Sequence, residues 1–171
     1  TASYQKTQQK FYRQGDSPEM RAVIQRVSHA KVTVDGKITG EIGKGYLILL
    51  GVGQNDSEKD ADKLTDKISK LRIFSDENDK INLSIKDIDG EILVVSQFTL
   101  YAECKHGNRP SFINAGSPDK AEKLYEYFSE QCRKYVKNVQ NGIFGADMKV
   151  ELLNDGPFTV ILECNDGIIT E

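Results

Sequence analysis

The sequence predicts an α+β fold, a single layered β/β/α domain in which amphipathic helices cover a sheet. Short apolar segments of strand character recur along most of the chain, two stretches place apolar residues at helical spacing instead, and no internal repeat or low-complexity tract interrupts them. The 171 residues fit one domain, and an apolar content of 38% can fill one core.

Residues 1–19 (TASYQKTQQKFYRQGDSPE) differ from the rest. They are polar and aperiodic, and they end in Gly-Asp-Ser-Pro before Met20. They read as an added remnant or a disordered extension, with Met20 as the natural start. The body, residues 20–164, opens with strands. Over 21–27, Ala22, Ile24 and Arg26 share one face and Val23, Gln25 and Val27 the other. Segments 31–34 and 37–42 flank Asp35-Gly36, a hairpin signal. Segment 46–52 is continuously apolar and reads as a central strand.

A helix follows. Ser57 can cap it, Asp60 supplies negative charge to its first turn, and Ala61, Leu64, Ile68 and Leu71 form its apolar stripe. Segment 92–95 is a second buried strand, running into Ser96-Gln97-Phe98-Thr99. The clearest element is a second helix, with Ser117 as N-cap and Pro118 in the first helical position. Ala121, Leu124, Tyr125, Phe128, Cys132, Tyr135 and Val136 recur on its inner side. Two last strands, 149–153 and 158–164, are joined by a loop over 154–157. Residues 165–171 form a tail without pattern.

Composition excludes several classes of function. The net charge of −3, with 29% charged residues, does not announce a nucleic-acid binder, so any RNA contact must use local patches and shape. No apolar run approaches the roughly 20 residues needed to span a membrane. Cys104, Cys132 and Cys164 are odd in number and widely spaced, which argues against a disulfide framework and fits a reducing cytoplasm. With only His29 and His106 and no paired cysteines, neither a metal site nor any cofactor is expected.

Two segments can carry chemistry. Were the strand to continue through 96–99, Ser96 and Phe98 would share one face and Gln97 and Thr99 the other, at a rim where polar groups can meet a ligand. The plainer reading is that they satisfy nearby backbone. The segment Asn154-Asp155-Gly156-Pro157-Phe158-Thr159 is first of all a turn. Yet glycine permits close backbone approach and proline holds adjacent carbonyls still, so such a loop could grip an ammonium group. Between them, Lys105-His106-Gly107-Asn108-Arg109-Pro110 is a small basic loop that could meet phosphate or simply lie in solvent. His29 reads as a surface residue, and Tyr125 and Phe128 as core.

The two segments occur together with MRAVIQRV, VVSQFTLYA, GNRPSF, AGSPDKAEKLY and GIFGADMKVELLNDGPFTV, in one order across nearly all of residues 20–164. In this the chain resembles the D-aminoacyl-tRNA (D-tyrosyl-tRNA) deacylases. The N-terminal extension lies outside the resemblance. The resemblance implies a homodimer with active sites at the interface and aminoacyl-tRNA, through its 3′-terminal adenosine, as substrate. It implies that Ser96, Gln97, Phe98 and Thr99 line the pocket for the adenosine and the aminoacyl ester. Gly156 and Pro157, joined by a cis bond in the family, would enter the partner's pocket with their carbonyls toward the substrate's amino end. Arg26 would help hold that loop, and Ala115, Phe144 and Met148 match further pocket positions.

A chemical expectation follows. An aminoacyl ester is already reactive, so water can attack it while the backbone N–H of Phe98 or Thr99 stabilises the oxyanion. Thr99 as a covalent nucleophile lacks an evident histidine partner; the substrate's ribose 2′-hydroxyl is a third option. A non-catalytic RNA-end binder and a small-molecule esterase are the competing readings of the same residues.

Overall fold

The computed structural model describes residues 19–170. The reading of residues 1–19 therefore falls, apart from Glu19, outside the described residues. The spine is one long strand, β1 (Met20–Val34), rather than two short ones. The other elements are β2 (Lys37–Ile42), β3 (Gly45–Gly51), α1 (Glu58–Lys70), β4 (Arg72–Ser75), β5 (Ile81–Ser84), β6 (Glu91–Ser96), a 3-10 turn (Phe98–Tyr101), α2 (Pro118–Arg133), β7 (Val139–Asn141), β8 (Lys149–Asn165) and β9 (Ile168–Ile169). The main sheet runs β7-β6-β3-β1-β8-β9, with β2 also paired to β1. The β3–β6 and β6–β7 pairs are parallel, so the sheet is mixed.

Two cores explain the sequence pattern. On one face, Ala22, Ile24, Ile48, Leu50, Ile92 and Val94 pack against Ala61, Leu64 and Ile68 of α1 and Leu124, Tyr125, Phe128 and Cys132 of α2. On the other, Leu47, Leu93 and Val95 pack against Val27, Ala30, Val32 and Ile42, backed by Met148, Val150 and Leu152. The second half of β1, together with β2 and the first half of β8, thus forms a further β layer over β3 and β6. Strands buried on both faces lose polar alternation, which is why GYLILLG and EILVVS are almost wholly apolar. Irregularities in the β1–β8 register between Gln25 and His29 accompany the change of core along β1: Ala22 and Ile24 face the helices, Val27, Ala30 and Val32 the second core.

Local signals act as expected at several points. Asp35 and Gly36 both take positive φ (49° and 77°), as a two-residue hairpin needs. Asp60 is buried, and its carboxylate accepts the Ser57 N–H at 3.0 Å and the Gly167 N–H at 2.8 Å. It therefore pins the start of α1 to the returning end of the chain, where β9 pairs back on β8. Segments 149–153 and 158–164, expected as two strands around a loop, belong to the single strand β8. Residues 155–158 interrupt its pairing without ending it. The β4–β5 hairpin was not visible as a pattern because each strand has only four residues. Its connection is held by Asp76, which accepts the N–H groups of Asn78 and Lys80 at 2.9 and 3.0 Å.

Candidate active site

β3 and β6 run in parallel, so their C-terminal ends lie side by side, with Leu50 opposite Ser96. The strand stops at Ser96. The Gln97 N–H bonds to the Leu50 carbonyl at 2.8 Å, and the chain then winds into the 3-10 turn. The expected alternation of faces across 96–99 therefore fails after Ser96, because a turn of three residues replaces the period of two. Ser96, Gln97 and Phe98 all line one cleft of about 550 Å³, whereas Thr99 does not. Thr99 is exposed, and its hydroxyl accepts a hydrogen bond from the Gln97 amide.

The remaining walls come from distant sequence. Ala115 and Gly116 are held beside β3 by a bridge from Gly53 to Ala115 and by the Gly116 N–H to Val52 carbonyl bond at 2.8 Å. Phe112 meets Phe98 edge-on, with ring centroids 5.0 Å apart. The segment after β7 contributes Phe144 and Met148. Phe144 leans on Tyr125 of α2, whose hydroxyl donates to the Val94 carbonyl at 3.1 Å. Both described histidines are exposed, His29 on β1 and His106 in the loop after the turn, and neither lines the cleft.

A second feature lies on β8. Gln25 pairs with Thr159 and Val27 with Asn154, so Arg26 alone stands opposite four residues, 155–158. This is an enlarged bulge. The Arg26 side chain fills the space behind it. Its Nε donates to the Asp155 carbonyl at 2.9 Å and its Nη1 to the Ile73 carbonyl of β4 at 2.6 Å, while its guanidinium lies 4.7 Å from the centre of the Phe158 ring. Asn154 closes the bulge by accepting the Phe158 N–H at 2.7 Å. Gly156 and Pro157 are joined by a cis peptide bond and stand exposed, away from the cleft of their own chain.

A cleft at the ends of two parallel strands and a braced Gly-cis-Pro bulge thus sit on one small domain. The family model of D-Tyr-tRNA(Tyr) deacylase matches residues 23–163. The chain belongs to the D-tyrosyl-tRNA deacylase family. It is 59% identical over 145 residues to a D-aminoacyl-tRNA deacylase of Thermosipho melanesiensis, covering 84% of this chain and 97% of that one. It is 55% identical over 150 residues to the enzyme of that name from Fusobacterium nucleatum, covering 88% and 99%. Among solved structures it resembles a c-Myc DNA unwinding element binding protein, with 43% identity, a TM-score of 0.79, and 85% and 99% of the two chains covered. A probable eukaryotic D-amino acid tRNA deacylase shares the fold, with 18% identity, a TM-score of 0.74, and 85% and 100% covered.

In this deacylase-family chain the residues singled out from sequence fall into two groups. Ser96, Gln97, Phe98, Ala115, Phe144 and Met148 converge on the cleft, with Thr99 beside it; Arg26, Gly156 and Pro157 gather at the bulge. Phe112, Pro118, Ala121 and Asp147 also line the cleft and were not anticipated. Each is next to or inside a quoted segment, so proximity to GNRPSF, AGSPDKAEKLY and GIFGADM was the available signal. Asp147 is the cleft's one carboxylate among the described residues, and Lys149 pairs with it at 3.1 Å.

Behind the Ala115 wall lies Asp56, almost fully buried, whose carboxylate accepts the Gly53 N–H at 2.5 Å. Burial, with the Asp60 charge nearby, pushes its pKa up to about 7 against the pull of the Gly53 hydrogen bond. A carboxyl raised in the folded state binds its proton more tightly there than in the unfolded chain. Its contribution to stability is therefore complete below about pH 4 and is lost as pH rises through about 7. Asp56→Asn, neutral throughout and still able to accept from Gly53, should lack this slope. We expect the variant to gain on the parent by about 2–3 kcal/mol between pH 5 and pH 8. Urea unfolding at the two pH values measures it, and parallel behaviour of parent and variant would refute the assignment.

Proposed function

We propose that two copies of this chain meet so that the Gly156–Pro157 bulge of each enters the cleft of the other. The two identical sites so formed carry out the reaction of the family, hydrolysis of the ester that joins a D-amino acid to tRNA, which releases free amino acid and tRNA. The observation that carries this reading is the separation of the two features. The bulge is braced from behind by Arg26, yet Gly156 and Pro157 are exposed and do not line the cleft of their own chain. Leu153 and Ile161, on either side of it along β8, are each more than half exposed, as is Phe98 at the cleft. Large apolar side chains left in water around such features suit a face that becomes buried on self-association.

In the assembled site the terminal adenosine and the ester occupy the cleft between Phe98, Ala115, Phe144 and Met148. The partner's Gly156 and Pro157 carbonyls accept hydrogen bonds from the amino group. The ester, the adenosine and these carbonyls define three directions around Cα, and the direction left against protein admits only a hydrogen. A D side chain points to open space; an L side chain collides with backbone. Selection works by rejection, so side-chain identity matters little and glycine passes. The N–H groups of Phe98 and Thr99 lie in the first turn of a helix, where they lack intrahelical acceptors, and are available to an oxyanion. Water attacks the ester carbonyl and supplies the oxygen of the released carboxylate, the ribose ester oxygen leaves with a proton, and the neighbouring ribose hydroxyl of the substrate can orient that water. No metal or other cofactor takes part. Among the described residues no helix is long and apolar enough to cross a membrane, and we place the enzyme with its tRNA substrates in the cytoplasm.

The deciding experiment is release of amino acid from D-Tyr-tRNA and L-Tyr-tRNA, run beside sedimentation. Release from the D form alone, by a dimer, is expected. A fully active monomer removes the shared-site reading, and absence of release leaves an RNA-end binder. Thr99 lines no part of the cleft, and neither do His29 and His106, the two described histidines. Thr99→Ala should therefore retain at least about a tenth of the parent's kcat on D-Tyr-tRNA, since loss of a true nucleophile costs many thousandfold. A trapped acyl-Thr99 ester would overturn this.

A further inference from the structure

The segment 104–110 (Cys-Lys-His-Gly-Asn-Arg-Pro) leaves the 3-10 turn and returns to the cleft wall. Its stem is fixed by two backbone hydrogen bonds between Glu103 and Ser111, at 2.8 and 2.9 Å. The residue after the stem is Phe112, which lines the cleft and packs on Phe98. The loop therefore stands at the mouth of the cleft, carried by the same piece of chain that forms its wall. All seven of its residues are exposed. It contains Lys105, Arg109 and His106 and no carboxylate, in a chain whose overall charge is −3. The acidic residue at its base, Glu103, spends its carboxylate on the Lys105 backbone N–H at 2.5 Å. Among the described residues neither Lys105 nor Arg109 takes part in an ion pair.

We propose that this loop is a phosphate clamp for the single-stranded acceptor end of tRNA, with Lys105 and Arg109 on the phosphates that precede the terminal adenosine. The assignment rests on the reading of the cleft as the seat of that adenosine. An RNA strand whose last nucleoside is in the cleft must leave through its mouth, past this loop. A chain of net negative charge repels RNA on average, so attraction has to be local, and two cations at the exit provide it. The planar guanidinium of Arg109 can hold two phosphate oxygens at once, while Lys105 acts as a point charge. Phosphate contacts of this kind position the end without reading its bases. The loop would thereby raise affinity for every aminoacyl-tRNA alike and leave chiral selection to the cleft.

The test compares the parent with the double variant Lys105→Ala/Arg109→Ala on two substrates, D-Tyr-tRNA and D-tyrosyl-adenosine, the latter having no phosphates. On tRNA the variant should show KM raised about tenfold with kcat preserved, and the slope of log(kcat/KM) against log salt should flatten by roughly 1.4, the value for two contacts to a single strand. On D-tyrosyl-adenosine parent and variant should coincide. The charge-preserving exchange Lys105→Arg/Arg109→Lys should keep most of the tRNA affinity. Unchanged kinetics and salt slope on tRNA overturn the clamp and leave the loop to solvent or to an acidic protein. Equal loss on both substrates also overturns it, since the damage then lies in the cleft. A parent that hydrolyses neither substrate removes the deacylase reading and the clamp together, whereas activity on both with an indifferent variant removes the clamp alone.

Discussion

Gly156→Ala is expected to lower kcat/KM on D-aminoacyl-tRNA by at least about a hundredfold, the scale of loss when a positioning group moves by roughly an ångström. Gly156 has φ of +137°, a conformation that side chains with a Cβ rarely adopt. A Cβ built there lies 3.0 Å from Arg26 Nη2 and 3.2 Å from the Phe158 nitrogen. The methyl group can be placed only if the bulge shifts or the guanidinium gives way, and either movement displaces the carbonyls that would face the amino group. The residue is exposed and outside both cores, so the fold itself should survive, with circular dichroism and sedimentation unchanged. Deacylation of Gly-, D-Tyr- and L-Tyr-tRNA, side by side, decides the matter. The parent should clear the first two and spare the third; the variant should lose both. A parent that spares Gly-tRNA at levels that clear D-Tyr-tRNA, or a variant of full activity, shows that backbone rejection is not the filter.

The second large effect concerns Arg26. It hydrogen-bonds the bulge to β4, through the carbonyls of Asp155 and Ile73, while it lies over Phe158. Its side chain is only 11% exposed, so truncation removes hydrogen bonds from two carbonyls and leaves a cavity behind the bulge. Arg26→Ala should cost about 2–3 kcal/mol of stability and lower kcat/KM on D-Tyr-tRNA by about 10- to 100-fold through a loosened bulge. Arg26→Lys keeps the charge but cannot reach two carbonyls from one planar group, so it should recover stability in part and activity hardly at all. Thermal melts and steady-state kinetics of the two variants separate these contributions. If Arg26→Lys is fully active, charge rather than geometry holds the bulge.

Elements that depend on neighbours in the chain were legible without coordinates. The stripes of α1 and α2, the Ser117-Pro118 start and the Asp35-Gly36 hairpin rest on periods and turn preferences that act over a few residues. The apolar runs of β3 and β6 signalled burial on both faces. The quoted segments also picked out six residues that the fold gathers into one cleft. What remained hidden is long-range. Whether 154–157 ends a strand or interrupts one depends on its pairing with residues about Arg26, and no local rule contains that partner. The passage of β1 from one core to the other and the arrest of β6 at Ser96 depend likewise on what each strand packs against. By itself the sequence determined the helices, the buried strands and the residue types available to the site. Only the tertiary structure decided that Thr99 stands beside the cleft rather than in its lining, that Arg26 stands behind the bulge, and that cleft and bulge lie apart, because β pairing and packing join residues whose separation along the chain no short period records.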